Sequence, residues 1–221
     1  MRHRLICVGI PSGDAGVHAA LVDSLLAEQL MAAEQGIHFH IQWELGCSNI
    51  DVARNRIASA FLRDSPSGRL VFVDSDISWK AGDLVRLASR VDDVVGATYK
   101  PKDGTEKWHG LEPFAHRGHD YTVGGLPTGF LAISRQALER LRGGSRVWQS
   151  VDGKPLWEFF RTGFHGDRYL TEDYGFCATW RATGGECILD PSIVLRHWAG
   201  IRAYGGDPTA WLAEQSAKEI T

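Results

Sequence analysis

The sequence predicts an α/β protein in which a mostly parallel sheet is flanked by helices. Strand-like and helix-like segments alternate three times within the first hundred residues, an order that is typical of parallel strands joined by right-handed crossovers. No internal repeat and no Pro- or Ser-rich linker divides the 221 residues, and this length suits one large α/β domain. We therefore expect a single domain over residues 1–221.

The elements of the first half follow from the spacing of apolar residues. Short apolar or alternating runs predict strands, and apolar residues three and four positions apart predict helices. The turn Pro11-Ser12-Gly13 ends the first strand, Gly36 ends the first helix, and Asp51 is expected to cap the second helix. The predicted strands are 5–10, 39–43, 70–73 and 94–98, and the predicted helices are 17–33, one beginning at Asp51, and 81–89.

The second half has a weaker period. Residues 101–122 are rich in Lys, His and Gly and predict loops and short strands, and the aromatic-rich segment 144–168 is irregular. Long irregular segments in a compact domain are usually functional loops. The remaining predicted strands are 130–133, 187–189 and 193–195, and the remaining predicted helices are 135–141, 174–182 and 209–220.

Composition excludes several classes of protein. Hydrophobic residues make up 43% and charged residues 23% of the chain, which is ordinary for a soluble globular domain. The net charge of -3 argues against a basic surface over the whole molecule, although it leaves room for a local basic groove. Four scattered cysteines indicate neither a zinc site nor a disulfide framework. We expect a cytoplasmic protein with no membrane span, because no segment resembles a signal peptide or a bilayer-spanning helix.

The most informative motif is Asp74-Ser75-Asp76, which directly follows the apolar run 70–73. In an open α/β sheet, ligands bind in the crevice beyond the carboxyl ends of the strands. Two carboxylates at that edge repel each other unless a cation neutralises them. Mg²⁺ and Mn²⁺ take oxygen ligands and often bridge to a substrate diphosphate. The motif therefore predicts a site for a divalent metal and a diphosphate.

Further motifs occur in a fixed order along the chain. They are Val52-Ala53-Arg54-Asn55, Phe72-Val73-Asp74-Ser75-Asp76, Thr128-Gly129-Phe130, Glu172-Asp173 and His197. With these motifs the chain resembles nucleotide-sugar-dependent glycosyltransferases of the GT-A fold, in particular the family-2-like group with its small single-domain bacterial and phage members. The resemblance covers nearly the whole chain.

The resemblance implies an enzyme that transfers a sugar from a nucleotide-diphosphate donor to an acceptor hydroxyl. Direct displacement would invert the anomeric carbon, and the retaining outcome stays open. Its default donor is a UDP-sugar and its cofactor is Mn²⁺ or Mg²⁺. It implies Asp76, His197 and Asp74 as metal ligands, and Asp173 as the general base with Glu172 as the second choice. The acceptor stays open between a saccharide and a modified DNA base. The oligomeric state is not predicted.

The same resemblance assigns two sets of binding residues. Residues 1–100 form the expected nucleotide-binding half and residues 101–221 the expected acceptor and catalytic half. The expected donor-binding residues are Pro11, Ser12, Asp14, Arg54, Asn55, Asp74, Ser75 and Lys100. Those expected on the sugar and acceptor side are Thr128, Gly129, Trp108, His109 and Trp157, where glycine lets the backbone approach a ligand closely.

Two other functions remain open. A non-catalytic module that binds nucleotide-sugars or carbohydrates on the same fold is the first alternative. A haloacid-dehalogenase-like phosphatase, which also uses Asp-x-Asp and Mg²⁺, is a distant one, since two predicted strands precede the motif here. The region around 148–164 is compatible with either a polynucleotide or a saccharide, and it carries Arg142, Arg146, Lys154, Arg161 and Arg168.

Overall fold

In a computed structural model, which describes residues 4–105 and 107–218, helices and strands alternate along the chain. The helices are α1 (Ala19–Glu34), α2 (Ile50–Asp64), α3 (Asp83–Ala88), α4 (Arg135–Arg142), α5 (Glu172–Ala182) and α6 (Thr209–Lys218). The strands are β1 (Arg4–Ser12), β2 (Ile37–Leu45), β3 (Arg69–Val73), β4 (Ile77–Ser78), β5 (Val94–Gly96), β6 (Leu111–Arg117), β7 (Asp120–Gly125), β8 (Phe130–Ser134), β9 (Val147–Gln149), β10 (Pro155–Trp157), β11 (Gly163–His165), β12 (Arg168–Leu170), β13 (Cys187–Leu189), β14 (Arg196–Ala199) and β15 (Arg202–Gly205).

Eight strands form one central sheet in the order β2-β1-β3-β8-β5-β13-β7-β6. Strands β1, β2 and β3 pair in parallel, as do β5 and β13, whereas β8 and β7 run antiparallel to their neighbours. Most strands thus point in one direction, so their carboxyl ends lie along the same edge. The α/β fold class that the sequence predicts is confirmed.

Helices cover both faces of this sheet, which makes three layers. Strand β3 needs helices on both sides, because its apolar side chains alternate between the two faces of the sheet. Leu70 and Phe72 belong to one buried cluster with residues of α2, α4 and α5, whereas Val71 and Val73 belong to a second cluster with residues of α1 and α3. A strand buried on both faces reads as a continuous apolar run, and this is why the pattern alone located β3.

Several predicted elements differ from those observed. The second helix begins after Asn49, so Asp51 lies within its first turn and does not cap it. The predicted strand at 193–195 is not a strand, and pairing begins only at Arg196. The segment 101–122 instead contains much of a long hairpin, β6–β7, whose residues mix exposed and buried positions without a clean alternation. Residues 219–220 of the predicted last helix lie outside the described residues.

The strands of the expected halves 1–100 and 101–221 interleave. Strand β8 of the second half lies between β3 and β5 of the first, so both halves share one sheet. The sheet is consistent with a single domain, and the functional division into two halves stays a prediction. None of the helices in the described part of the chain is long and apolar enough to cross a membrane.

A small second sheet completes the edge beyond β3. Strand β14 pairs with β15 on one side and with β4 on the other, with His197 opposite Ile77. The amide of Trp198 also donates to the carbonyl oxygen of Asp76 at 2.9 Å. This pairing fixes a residue near the end of the chain beside the Asp-x-Asp motif.

Candidate functional site

The Asp-x-Asp motif turns away from the sheet directly after β3. The amide of Asp74 donates to the carbonyl of Gly129 at 3.1 Å, and the amide of Ile77 donates back to the carbonyl of Asp74 at 3.1 Å. These two hydrogen bonds form a tight turn and attach it to the start of β8. Both aspartates therefore lie at the carboxyl end of a central strand, where the sequence predicts a ligand site.

Asp76 lies between two basic side chains. The Nε2 atom of His197 is 3.4 Å from its Oδ1, and the ammonium of Lys102 forms an ion pair with its Oδ2. Burial alone would raise the pKa of Asp76, but the adjacent basic side chains of His197 and Lys102 outweigh it and hold that pKa below its usual value. Asp76 is thus a carboxylate at neutral pH.

The hydrogen bonds of His197 restrict which of its nitrogens carries a proton. Its Nδ1 lies 3.0 Å from the carbonyl oxygen of Lys100, which can only accept, so Nδ1 is the donor. In the neutral ring, Nε2 is then an acceptor that faces another acceptor, Oδ1 of Asp76. That pair is stable if the ring is protonated or if a cation lies between the two atoms.

Arg54 joins the first aspartate of the motif to α5. One side of its guanidinium donates to Oδ1 of Asp74 at 2.8 Å, and the other forms an ion pair with Glu172. Burial disfavours the charged form of Arg54, but the carboxylates of Asp74 and Glu172 overcome it and raise its pKa. Burial also raises the pKa of Glu172, while Arg54 acts in the opposite direction. The ion pair of Arg54 with Glu172 is buried and joins residues that are 118 positions apart in the sequence.

Three aromatic rings line the space between these groups. The ring centroid of Tyr99 lies 4.9 Å from that of His197 and 5.0 Å from that of His109. The Tyr99 hydroxyl lies 3.5 Å from Oδ2 of Asp74. Burial, followed by the charge of Asp74, raises the pKa of Tyr99 well above its ordinary value. Burial is also the main cause that lowers the pKa of His109, so this imidazole is neutral at pH 7.

Asp173 occupies the first turn of α5 next to Glu172. Its Oδ1 accepts hydrogen bonds from the amide of Tyr174, at 2.8 Å, and from the hydroxyl of Thr171. Its negative charge is among those acting on Arg54, Tyr99 and His109, so it lies beside the same cluster. A carboxylate at this end of a helix is stabilised by the helix dipole.

The loop after β1 is held by its own side chains. Pro11 and Ser12 are the buried last residues of the strand, and the Ser12 hydroxyl donates to the carbonyl of Gly16 at 2.6 Å. Asp14 accepts from the amide of Gly16 and from Ser12. These hydrogen bonds hold the pKa of Asp14 below its usual value. The carbonyl of Ser75 accepts from the amide of His18, so this loop is adjacent to the Asp-x-Asp turn.

Other predicted residues have structural partners. Asn55 is buried, and its side chain binds the backbone of Phe159 and Phe160 through three hydrogen bonds, so it contacts that segment and not the crevice. Trp157 packs against the core with Arg142 over its ring. Trp108 stacks on Trp211. The ammonium of Lys100 lies 5.5 Å from the ring of Trp108.

Two groups of this region lack partners within the described structure. The hydroxyl of Thr128 and the Nε of Arg54 are both buried without a hydrogen bond there. Leaving a buried polar group unsatisfied costs about 1–3 kcal/mol, which a bound ligand can offset. Thr128 was among the predicted sugar-side residues, and it directly precedes the glycine that contacts the motif.

The metal prediction is supported only in part by the ligand set. No group of three or more His, Cys, Asp or Glu side chains with metal-binding geometry occurs among residues 4–105 and 107–218. Asp74, a predicted ligand, faces Arg54 instead. Asp76 and His197 remain, and a separation of 3.4 Å between their facing atoms suits two ligands of one ion at about 2.0–2.2 Å from each. A pair of this kind fits an ion that completes its shell with phosphate and water oxygens.

Sequence reasoning offers Lys102, with Lys100, only as a lysine that could meet phosphates, and it gives Tyr99 no role. Lys102 follows Lys100-Pro101 in a segment that was expected to be loop, where a lysine is normally a solvated charge. Tyr99 directly follows an apolar strand, where a tyrosine is most simply a core residue. The available signal was their position directly after the predicted strand 94–98, whose carboxyl end lies on the same edge as that of β3.

Gly129 supports a first prediction about the site. A Cβ at this position would lie 2.3 Å from the Tyr99 hydroxyl and 2.8 Å from Oδ2 of Asp74. Gly129→Ala is therefore expected to displace both groups and to lower the free energy of unfolding by about 1–3 kcal/mol. Urea denaturation measures the loss. Gly68→Ala is the control, because a Cβ there meets nothing within 4 Å. Equal unfolding midpoints for the two variants would contradict the contact.

Comparison with known proteins supports the fold. No protein-family model and no curated protein matches the sequence. The solved structure of A197 from STIV has a TM-score of 0.59 and 20% identity, over 90% of this chain and 88% of that chain. GalNAc-T7 with UDP, GalNAc and Mn2+ has a TM-score of 0.49 and 11% identity, over 89% of this chain and 44% of that chain. The first similarity shows a shared fold and nothing about activity, and the second is too low to carry an argument.

Proposed function

We propose that this protein is a metal-dependent glycosyltransferase that moves a sugar from a nucleotide-diphosphate donor, by default a UDP-sugar, to an acceptor hydroxyl. The observation that carries the proposal is the 3.4 Å separation of Asp76 Oδ1 and His197 Nε2 at the sheet edge, with the other ring nitrogen of His197 turned to a backbone carbonyl. These two atoms could both bind one cation, and Lys102 adds a second positive charge beside it. Both charges suit a diphosphate.

Each residue of the cluster has a distinct part in the proposed mechanism. Asp76 and His197 would hold Mn²⁺ or Mg²⁺, and the bound ion supplies positive charge for the departing diphosphate. Lys102 is positioned to release Asp76 and bind a phosphate oxygen. Asp74, fixed by Arg54, is available to a donor hydroxyl through its remaining lone pairs, and the unpartnered hydroxyl of Thr128 is a further donor or acceptor for the sugar.

Asp173 is the proposed general base. It accepts the proton of the attacking hydroxyl while that oxygen displaces the diphosphate, which inverts the anomeric carbon. Glu172, the second choice from sequence, is engaged by Arg54 and buried, so its proposed part is to position Arg54. The aromatic wall of Tyr99 and His109 would exclude water from the reacting centre.

Calorimetry tests the first half of this proposal. UDP, GDP and dTDP are each titrated with and without Mn²⁺, and one of them is expected to bind with micromolar affinity only when the metal is present. Asp76→Ala and His197→Ala should each weaken that binding by about 10–100-fold. Asp152→Ala, which removes an exposed carboxylate in the β9–β10 turn, is the matched control. If the nucleotide binds with the same affinity with and without Mn²⁺, or if Asp76→Ala binds it as tightly as the parent does, the metal site is rejected.

A second function, a non-catalytic nucleotide-sugar-binding module, is favoured by one observation. Both carboxylates of the motif already face cations of the protein, Arg54 and Lys102, so the ligand-free site is neutralised without a metal. Such a module would bind the donor and leave its glycosidic bond intact. Release of nucleoside diphosphate from the bound donor decides between the two functions.

A further inference from the structure

A basic cavity lies on the flank of α5, away from the Asp-x-Asp turn. It has a volume of about 280 Å³ and lies between α4, α5 and the chain from Ser145 to His165. Its charged lining comes from Arg140, Arg146, Arg161 and Glu158, and His165 and Thr179 are among its polar lining residues. Nothing in the proposed transfer reaction uses these side chains.

Two arginines of this cavity contact backbone carbonyls and an aromatic ring more closely than they contact any carboxylate of the described residues. Arg140 donates to the carbonyl of Thr183 and lies over the ring of Trp180, and Arg161 donates to the carbonyl of Phe164 at 3.2 Å. Arg146 is 77% exposed and comes no closer than 3.9 Å to Glu158. Other arginines of the chain bind carboxylates at much shorter range, including Arg54, Arg56, Arg90 and Arg117.

Local composition leads to the same conclusion. Residues 140–170 contain six Lys and Arg but three Asp and Glu, whereas the whole chain has a net charge of -3. Backbone carbonyls and aromatic faces orient a guanidinium without cancelling its charge. The cavity is therefore a positive patch on an acidic protein, and an anion is the ligand that it fits.

Two exposed aromatic rings lie on the hairpin that follows Arg161 in the chain. Phe164 and Tyr169 are 68% and 65% exposed, and they pack edge to face at 5.3 Å across the hairpin β11–β12. The hairpin begins two residues after Arg161 and carries Arg168. Aromatic faces that are open to solvent beside arginines are the combination that binds unpaired bases and their phosphates.

We propose that this surface, defined by Arg140, Arg146, Arg161, Phe164 and Tyr169, binds single-stranded nucleic acid. The arginines hold phosphates through their planar forks, and bases stack on Phe164 and Tyr169. Double-stranded nucleic acid fits less well, because its bases are already stacked. A neutral saccharide would use the rings but not the three guanidinium groups.

The cavity and the candidate general base share helix α5. Helix α5 carries Asp173 in its first turn and Thr179 on the cavity wall, six residues or about 9 Å further along. Between them, Gly175 packs so closely on the carbonyl of Arg161 that a Cβ would lie 2.4 Å from it. That a bound strand continues along α5 to Asp173 and is the sugar acceptor is part of the proposal, and it rests on the proposed function.

Fluorescence anisotropy with labelled twelve-nucleotide oligo(dT), in the absence of any donor nucleotide, tests the binding. We expect micromolar affinity at 50 mM salt that weakens about 20-fold at 200 mM, as three phosphate contacts imply. Arg146→Ala/Arg161→Ala should weaken binding at least tenfold and flatten the salt dependence. Phe164→Ala should weaken it about 5-fold or more through lost stacking. Arg86→Ala/Arg117→Ala is the control with equal loss of charge.

Competition with polyphosphate of twelve units separates nucleic acid from a general polyanion. Oligo(dT) is expected to bind more tightly than polyphosphate, and only oligo(dT) should respond to Phe164→Ala. Absence of binding at 50 mM salt, equal affinity for both probes, or an equal loss in the control variant would overturn the proposal. Because no donor or metal is present, these results are independent of the calorimetry, and failure of one proposal does not imply failure of the other.

Discussion

Arg54→Met is expected to destabilise the protein by about 3–5 kcal/mol at pH 7, the largest loss of stability at any single position of the site. The substitution keeps most of the side-chain volume but removes the cation between Asp74 and Glu172. Breaking one side of a buried ion pair leaves uncompensated buried charge, and two carboxylates then repel each other across the gap. Arg54 is 4% exposed, so water cannot replace it. Urea unfolding followed by circular dichroism measures the change.

The effect depends on pH in a defined direction. Without Arg54, the pKa of Glu172 rises beyond its already raised value, because burial and Asp173 are no longer opposed. A carboxyl whose pKa is raised by folding contributes stability that is present below the pKa of the unfolded chain, about 4.3, and lost as pH rises through the folded pKa. The deficit of Arg54→Met is therefore expected to be smaller at pH 4.5 than at pH 7.

Two further variants isolate the buried charge. Arg56→Met, two residues further along α2, removes a partly exposed ion pair with Glu44 and should cost less than about 1 kcal/mol. Arg54→Met/Glu172→Gln removes one of the stranded carboxylates and should recover part of the lost stability. A deficit that is equal at both pH values and is not recovered by Glu172→Gln would show that packing, and not charge, is what Arg54 contributes.

The parts of the site that the sequence predicts are those fixed by local pattern. The apolar run 70–73 identifies a strand buried on both faces, and it places Asp74 and Asp76 at the strand end without knowledge of any distant residue. Glu172-Asp173 is likewise located by the helical pattern that follows it. His197 was placed beside the motif through the family resemblance, although the strand that carries it begins three residues later than predicted.

Contacts between distant residues were not predictable in this way. The pairing of Arg54 with Glu172 joins elements 118 residues apart, and nothing in the local pattern of α2 separates a buried Arg54 from the exposed Arg56. Asn55 illustrates the same problem, since its role as an anchor for Phe159 and Phe160 depends on where an irregular segment returns to α2. Side-chain partners of this kind follow from topology, which a single sequence does not specify.

The irregular segments were the second source of error. Residues 101–122 carry an edge hairpin, and one-sided exposure at the edge of a sheet leaves a weak apolar signal. Residues 144–168 were predicted to be a functional loop, but they contain two short hairpins, β9–β10 and β11–β12. That segment also supplies the basic cavity. The sequence shows its arginines, whereas only the structure shows that, within residues 4–105 and 107–218, no carboxylate comes closer to Arg146 than 3.9 Å.

Asp173→Asn is expected to lower the turnover number by about 10²–10⁴-fold while donor affinity stays unchanged. Asparagine keeps the oxygen that accepts from the amide of Tyr174, so the start of α5 is preserved. It cannot take a proton from the attacking hydroxyl, and loss of a general base typically costs this much. Turnover is measured as release of nucleoside diphosphate from the donor, first with water and then with an added acceptor. Donor affinity comes from calorimetry.

Comparing Glu172→Gln with Asp173→Asn distinguishes the roles of these two adjacent acids. Glu172→Gln removes a partner of Arg54 and should shift the urea midpoint, with a loss of turnover that follows the loss of folded protein. Asp173→Asn should leave the midpoint in place and act on turnover alone, because Asp173 is held by backbone and hydroxyl donors and not by a buried cation. If the turnover number of Asp173→Asn stays within tenfold of the parent, Asp173 only stabilises the first turn of its helix. A fall in turnover at constant stability in Glu172→Gln would transfer the role of the base to Glu172.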